Sequence, residues 1–324
     1  MYVVISAVRD LFIKPIRPLS PAINSSLNLD FLNPFKHQYW TSRRMLSLLV
    51  SFGLVTLVRT QGTITCGTPV VQPITTRIVG GVESTPNSWP YVTLLVDDLG
   101  YIAGSATILN ARVLVTSAQH FEGPGYSIFD VDITHWRVYA GEHNIHIKDP
   151  NEHYYHISRV ILHPAYNYSS LENDIALIIT KETMELNDHV RFACLPDPSH
   201  QYTVGQTCYL PGWGSTAASG NEEVLNQVDL PILSDDICLH HWPDYLPATE
   251  VCAGYENGTK DFCADDIGSP LLCKDQNGQW YIQGIASSGG NCKLHDEPGV
   301  FEDVSQYSDW VKKTMRDANY PYHP

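Results

Sequence analysis

From residue 63 onward the chain alternates short apolar runs with turn-forming residues. The runs include "RVLVTSA", "WRVYAGE", "HYYHISRVILH", "NDIALIIT", "QTCYLPGWG", "VDLPIL", "QWYIQGIAS" and "GVFEDV". Gly, Pro, Asn and Ser separate them. Short β-rich runs with regular turn signals predict an all-β barrel or sandwich. Only the C-terminal end reads as helix: in "SQYSDWVKKTMRDA", Tyr307, Trp310, Val311 and Met315 recur at helical spacing. Ser305 or Ser308 is the predicted cap.

One apolar run differs from the rest. "RRMLSLLVSFGLVTLVRTQG" sets Arg43 and Arg44 before an apolar stretch from Leu46 to Val58. That is the layout of a secretory signal starting at Met45 and cleaved near Gly62. The stretch falls short of the roughly 20 apolar residues that a membrane span needs. A membrane-anchored ectodomain is the competing reading, if translation starts at Met1 and the segment stays uncleaved.

Composition narrows the class. Of 324 residues, 43% are apolar and only 17% charged, as in a globular protein with a full core. The formal net charge is 20 − 35 = −15, which repels phosphate backbones and argues against nucleic-acid binding. The eight cysteines, Cys66, Cys194, Cys208, Cys238, Cys252, Cys263, Cys273 and Cys292, all follow the signal segment, and none has a CxxC spacing. Four disulfides in an oxidising compartment fit better than zinc. The histidines in "LHHW" and "HWR" lack a ligand pattern and read as surface residues. Of three glycosylation sequons, Asn24 lies upstream of the signal, while Asn167 and Asn257 fall in turn-like stretches.

Specific segments then appear in order. "TTRIVGGVES" has a basic residue before Ile-Val-Gly-Gly. "VLVTSAQHF", "NDIALI", "YLPGWGST", "DFCADDIGSPLLC", "GIASSGGNC" and "EPGVF" follow. Together they resemble the chymotrypsin/trypsin family of serine proteases over roughly residues 66–318. The resemblance implies two packed six-stranded antiparallel β-barrels with a C-terminal α-helix. It divides the chain into an upstream leader or gene-model extension (1–44), a signal peptide (45–62), a propeptide or light-chain segment (63–77), a trypsin-like domain (78–318) and a C-terminal tail (319–324). It implies cleavage between Arg77 and Ile78, after which the new Ile ammonium pairs with Asp266. A buried ammonium is costly unless paired, so the pairing acts as a switch. It also implies the bridges Cys66–Cys194, Cys208–Cys273, Cys238–Cys252 and Cys263–Cys292. Gly104 and His120 stand where the family has a further bridge.

The resemblance assigns Gln119, Asp174 and Ile267 to the three positions of the catalytic triad. That mechanism needs a nucleophilic hydroxyl, an imidazole base and an aspartate that orients it. Glutamine cannot accept a proton near neutral pH, and isoleucine has no nucleophilic atom. Asp265 replaces a glycine of the oxyanion hole and would oppose the developing charge. The expected protein is a non-catalytic homologue that is secreted, monomeric and binds a protein, without a required cofactor. Its ligand would be a protease-cascade member, an inhibitor, or a matrix or host protein. The competing reading is an active trypsin-like endopeptidase with a site rebuilt around His120 or Ser269.

At the specificity pocket, Asp261 matches family members that prefer Arg or Lys, and Gly289 and Gly299 keep the walls open. Phe262 would plug the floor, and Ser288 replaces a lining tryptophan. "AGEHNIHIKDPNEHYY" resembles the family's calcium loop. Its ligand set would be Glu142, Asn144, Ile147, Asp149 and Glu152, oxygen donors of the kind Ca2+ takes.

Overall fold

The computed structural model describes residues 64–75, 81–129, 131–200, 202–215, 221–256, 264–288 and 297–324. The leader, the signal segment, the Arg77–Ile78 bond, Asn257, Asp261, Phe262, Cys263, Gly289 and Cys292 lie outside the described residues. Thirteen strands and two helices occupy the described part.

Six strands form a closed antiparallel barrel: β2 (Val92–Val96), β3 (Ile102–Ile108), β4 (Val113–Thr116), β5 (Arg137–Ala140), β6 (His153–Leu162) and β7 (Ala176–Thr180). Around the barrel they run β2-β3-β4-β7-β6-β5. β2, β4 and β7 are buried along their whole length.

The second sheet runs β1-β9-β8-β11-β12-β13-β10. Its strands are β1 (Val82–Glu83), β8 (Thr207–Gly212), β9 (Asn226–Pro231), β10 (Glu250–Ala253), β11 (Pro270–Lys274), β12 (Trp280–Ser288) and β13 (Gly299–Asp303). Its ends approach each other through an isolated Ile232–Ala253 bridge. Leu233 N donates to Cys252 O at 2.9 Å, and Gly254 N to Pro231 O at 3.0 Å.

One apolar cluster joins the two sheets. It takes Leu94, Val113 and Ile175 from the barrel side, and Tyr209, Leu272, Ile282 and Ile285 from the second sheet. Trp89 packs edge-on against Trp280 at 4.8 Å between ring centroids. Fully burying each such large side chain contributes roughly 1.5–3 kcal/mol. Helix α2 (Val304–Asp317) adds Tyr307, Val311 and Met315 to the same cluster.

The helices depart from the sequence expectation at two points. The cap of α2 is Asp303, whose side chain accepts from Ser305 N, so neither Ser305 nor Ser308 caps it. Ser305 is instead buried inside the first turn and donates to Asp303 at 2.8 Å. A short helix α1 (Asp235–His241) also forms, capped by Ser234. Seven residues are too few for a visible apolar period. Its Cys238 is bonded to Cys252 of β10, which anchors the helix to the second sheet.

Disulfides also join Cys66 to Cys194 and Cys208 to Cys273. The first ties the segment before the Arg77–Ile78 bond to the body. Backbone bonds reinforce it: Gly67 N donates to Phe192 O and Trp280 N to Gly67 O, each at 2.9 Å. Gly67 has φ +63°, and a side chain there would meet the Trp280 backbone.

Candidate functional site

Gln119 lies in a single 3-10 turn, Ala118–His120, directly after β4. Ser117 caps the turn. Thr116 of β4 is paired with Ala176 of β7, so the turn lies beside Asp174, which precedes β7. Asp174 is fully buried. Its Oδ2 accepts from Gln119 Nε2 at 2.6 Å, Ser117 Oγ at 2.7 Å and Ser287 Oγ at 2.8 Å. Its Oδ1 accepts from Gln119 N at 2.8 Å. Four donors nearly saturate a carboxylate. Burial pushes the Asp174 pKa up, against the pull of these hydrogen bonds.

The Gln119 amide spends its second hydrogen on Ser287 O, at 2.8 Å. The loop after the turn folds back, with Tyr126 Oη donating to Gln119 O at 2.7 Å. The side chain at the position assigned to the general base is thus held as a double donor.

Ile267 follows another 3-10 turn, Ala264–Asp266. Its side chain is partly buried against the apolar cluster of the second sheet. Its carbonyl accepts from Ser105 N of β3 at 3.2 Å, which ties the segment before β11 to the barrel. Ser269 is fully buried, and its Oγ has no hydrogen-bond partner among the described residues.

His120 is half-buried as a residue, but its Nε2 is sealed from solvent and unpartnered among the described residues. Burial lowers its pKa to about 4, with the facing Ile267 carbonyl pulling the other way. The ring occupies the space over Gly104: a Cβ there would lie 2.7 Å from His120 Cε1. It makes no hydrogen bond to Asp174. The imidazole therefore fills volume where the resemblance places a disulfide.

Asp266 is buried, with Oδ1 accepting from Gly214 N at 2.9 Å. Its carboxylate lies so close over Gly212 and Gly214 that a side chain at either would collide with it. Of the pocket residues, Ser288 ends β12 half-buried and Gly299 starts β13 buried.

The five candidate calcium residues share the connection between β5 and β6. Glu142 is buried, and its pKa is pushed up to about 8, first by burial and then by Glu152 and Asp149. Asp149 Oδ2 accepts from His143 N at 3.0 Å, and Glu152 Oε2 from Asp149 N at 3.2 Å. Asn144 pairs with Val224 in an isolated bridge, and Ile147 is exposed. Among the described residues, no three His, Cys, Asp or Glu side chains are gathered as a metal-binding group. Asn167 is exposed, with Oδ1 accepting from Ser169 N at 3.0 Å. No helix among the described residues is long and apolar enough to cross a membrane.

Three residues shape this site without a signal in the sequence reading. Ser117 and Ser287 are the hydroxyl donors to Asp174. Glu302 of β13 lies behind it, with Oε1 accepting from Asp174 N at 2.8 Å. A serine ahead of a turn is a recognisable cap, so Ser117 was discoverable. Ser287 and Glu302 come from distant strands.

Comparison with known proteins agrees with this architecture. The Trypsin family model matches residues 78–311. Chymotrypsin-C of Rattus norvegicus is 34% identical over 262 residues, which is 78% of this chain and 94% of that protein. The chain belongs to the chymotrypsin/trypsin family of serine proteases.

Proposed function

We propose that this chain is a non-catalytic member of its family that acts by binding a protein. One observation carries the reading: both amide hydrogens of Gln119 are committed, to Asp174 and to Ser287 O. A carboxamide is not basic enough to take a proton from a nucleophile near neutral pH, and these bonds fix it with its N–H groups toward Asp174 and Ser287 O. Position 267 supplies no nucleophile in any case. The neighbours do not replace them, because His120 fills volume over Gly104 and Ser269 is buried. Removing triad members leaves on the order of 10³–10⁴-fold acceleration over water at best, negligible for a peptide bond.

Other parts of the reading rest on the family relationship. The second sheet is the family's second barrel, and the cleft between the barrels is the ligand site. The protein is secreted, monomeric and cleaved after Arg77, with Ile78 then pairing with Asp266. Cys263 and Cys292 form the fourth disulfide, and Asn167 and Asn257 carry glycans. Asp261, Phe262, Ser288, Gly289 and Gly299 shape a pocket narrowed at its floor. Glu142, Asn144, Ile147, Asp149 and Glu152 hold a structural Ca2+. Two carboxylates, Glu152 and Asp149, raise the pKa of the buried Glu142, and a cation there would relieve that repulsion.

The test is direct. Cleaved, purified protein is incubated with a fluorophosphonate probe and with Arg and Lys amide substrates. No labelling and no turnover are expected. Stoichiometric labelling of a serine would mean that the chain is an active endopeptidase.

A further inference from the structure

His120 stands at a joint. On one side is Gly104 of β3, in the barrel. On the other is Gly268, in the short segment between Ile267 and β11. A Cβ on Gly104 would lie 3.1 Å from His120 Nε2, and one on Gly268 only 2.7 Å from it. Both glycines have positive φ, +147° and +80°. The ring therefore fills a slot that two glycines open between the barrel and this segment. The main-chain bond across the slot runs from Ser105 N to Ile267 O at 3.2 Å, the long end of the usual range.

The slot suits a neutral imidazole and not a cation. Nε2 is sealed and has no partner among the described residues. β3 and β4 face the ring with polar but uncharged groups, and there Thr116 Oγ1 donates to Ser105 O at 2.7 Å. The charged groups on the other packed elements are Glu122 after the turn, Asp174 before β7, and Asp265 and Asp266 before Ile267. Asp174 is bonded to Gln119 and two serines, and the Asp266 carboxylate lies over Gly212 and Gly214. Burial, with the Ile267 carbonyl pulling the other way, governs the titration of the ring, and none of these charges enters. A proton added to the ring would leave an unpaired charge in a sealed place, which is costly.

We infer that His120 is an acid-operated release: its protonation drives the ring from the slot and parts the Ile267 segment from β3. The folded pKa is lowered, to about 4 from the ordinary 6.5. The joint is therefore intact above about pH 6.5 and weakens as pH falls toward 4. Across that window the opened form gains on the order of 100-fold in population. The device is independent of whether the chain is catalytic.

The test is amide hydrogen exchange of the full chain, with protection factors compared between about pH 7.5 and about pH 4. Protection of the Ser105 amide should fall on the order of 100-fold. Protection of the Leu177 amide, inside the barrel on β7, should hold. In a His120→Gln variant, neutral at every pH, the Ser105 amide should keep its protection across the range. Parallel loss at Ser105 and Leu177 would mean general acid unfolding and overturns the inference. So does an equal loss at Ser105 in the variant. A second measurement needs no variant: the His120 ring proton, followed by NMR, should titrate near 4 in the folded chain. A midpoint near 6.5 also overturns the inference. Fluorophosphonate labelling would bear on the non-catalytic reading alone, so the two failures are separable.

Discussion

Glu302 of β13 accepts the backbone N–H of Asp174 at 2.8 Å, joining the second sheet to the catalytic-side turn of the barrel. Its other oxygen is bonded to Tyr307 Oη of α2. Glu302 is fully buried, and burial raises its pKa from the ordinary 4.5 to about 8, with Asp174 and Glu250 adding repulsion.

A pH dependence of stability follows. The folded pKa is raised, so the protonated carboxyl favours folding. That contribution is full below about pH 4.5 and is lost as pH rises through about 8. Glu302→Gln is neutral at every pH and lacks this term. The unfolding free energy of the unaltered chain minus that of the variant should fall between these limits, by on the order of a few kcal/mol. Denaturant titrations across the range measure it, and a flat difference would contradict it.

Gly104 should tolerate no side chain. It has φ +147°, and a Cβ would overlap the Ile267 carbonyl oxygen as well as crowd His120. Gly104→Ala should lower stability by roughly 2–4 kcal/mol, as backbone strain and overpacking combine. Adding His120→Ala should recover only part of the loss, because the Ile267 backbone contact remains. Full recovery in the double variant would assign the crowding to the imidazole alone.

If the catalytic loss resides at the positions named, restoring them should restore chemistry. Gln119→His alone should give no fluorophosphonate labelling. Combined with Ile267→Ser and Asp265→Gly, it should give covalent labelling at position 267, read by mass spectrometry. The three other donors to Asp174, Ser117 Oγ, Ser287 Oγ and the backbone N–H at position 119, are already in place for an imidazole partner. A triple variant that folds and stays unlabelled would locate the loss elsewhere.

Calcium should stabilise the fold. Millimolar Ca2+ should raise the Tm and EGTA should reverse the rise, with about 2.7 kcal/mol expected at a hundred-fold excess over Kd. Glu152→Gln should weaken the response. A Tm indifferent to both additions would remove Ca2+ from the account.

Much of the site could be read along the chain, because its key residues sit in short, chemically distinctive segments. "VTSAQHF" and "CADDIGSP" carry Gln119 and Ile267 inside otherwise conventional surroundings. Eight strand-like runs correspond to β4 to β9, β12 and β13. Four further strands were harder to see. β2 (VTLLV) is buried on every residue and has no alternation, while β3 (IAGSATI) is rich in small residues with weak strand preference. β10 is short, and β11 begins with proline.

The sequence by itself determined the identity of each chemical group: an amide at 119, a carboxylate at 174, a hydrocarbon at 267. It also determined the family, through the order of the segments. Only the tertiary structure decided what those groups do to one another. Ser117, Asp174, Ser287 and Glu302 come from four separate stretches, and a buried carboxylate takes its partners from whatever packing brings within reach. Gln119 meets the Ser287 carbonyl only because folding sets the turn after β4 against the end of β12. Hydrogen-bond direction depends on distances of a few tenths of an ångström, and local pattern does not encode those distances.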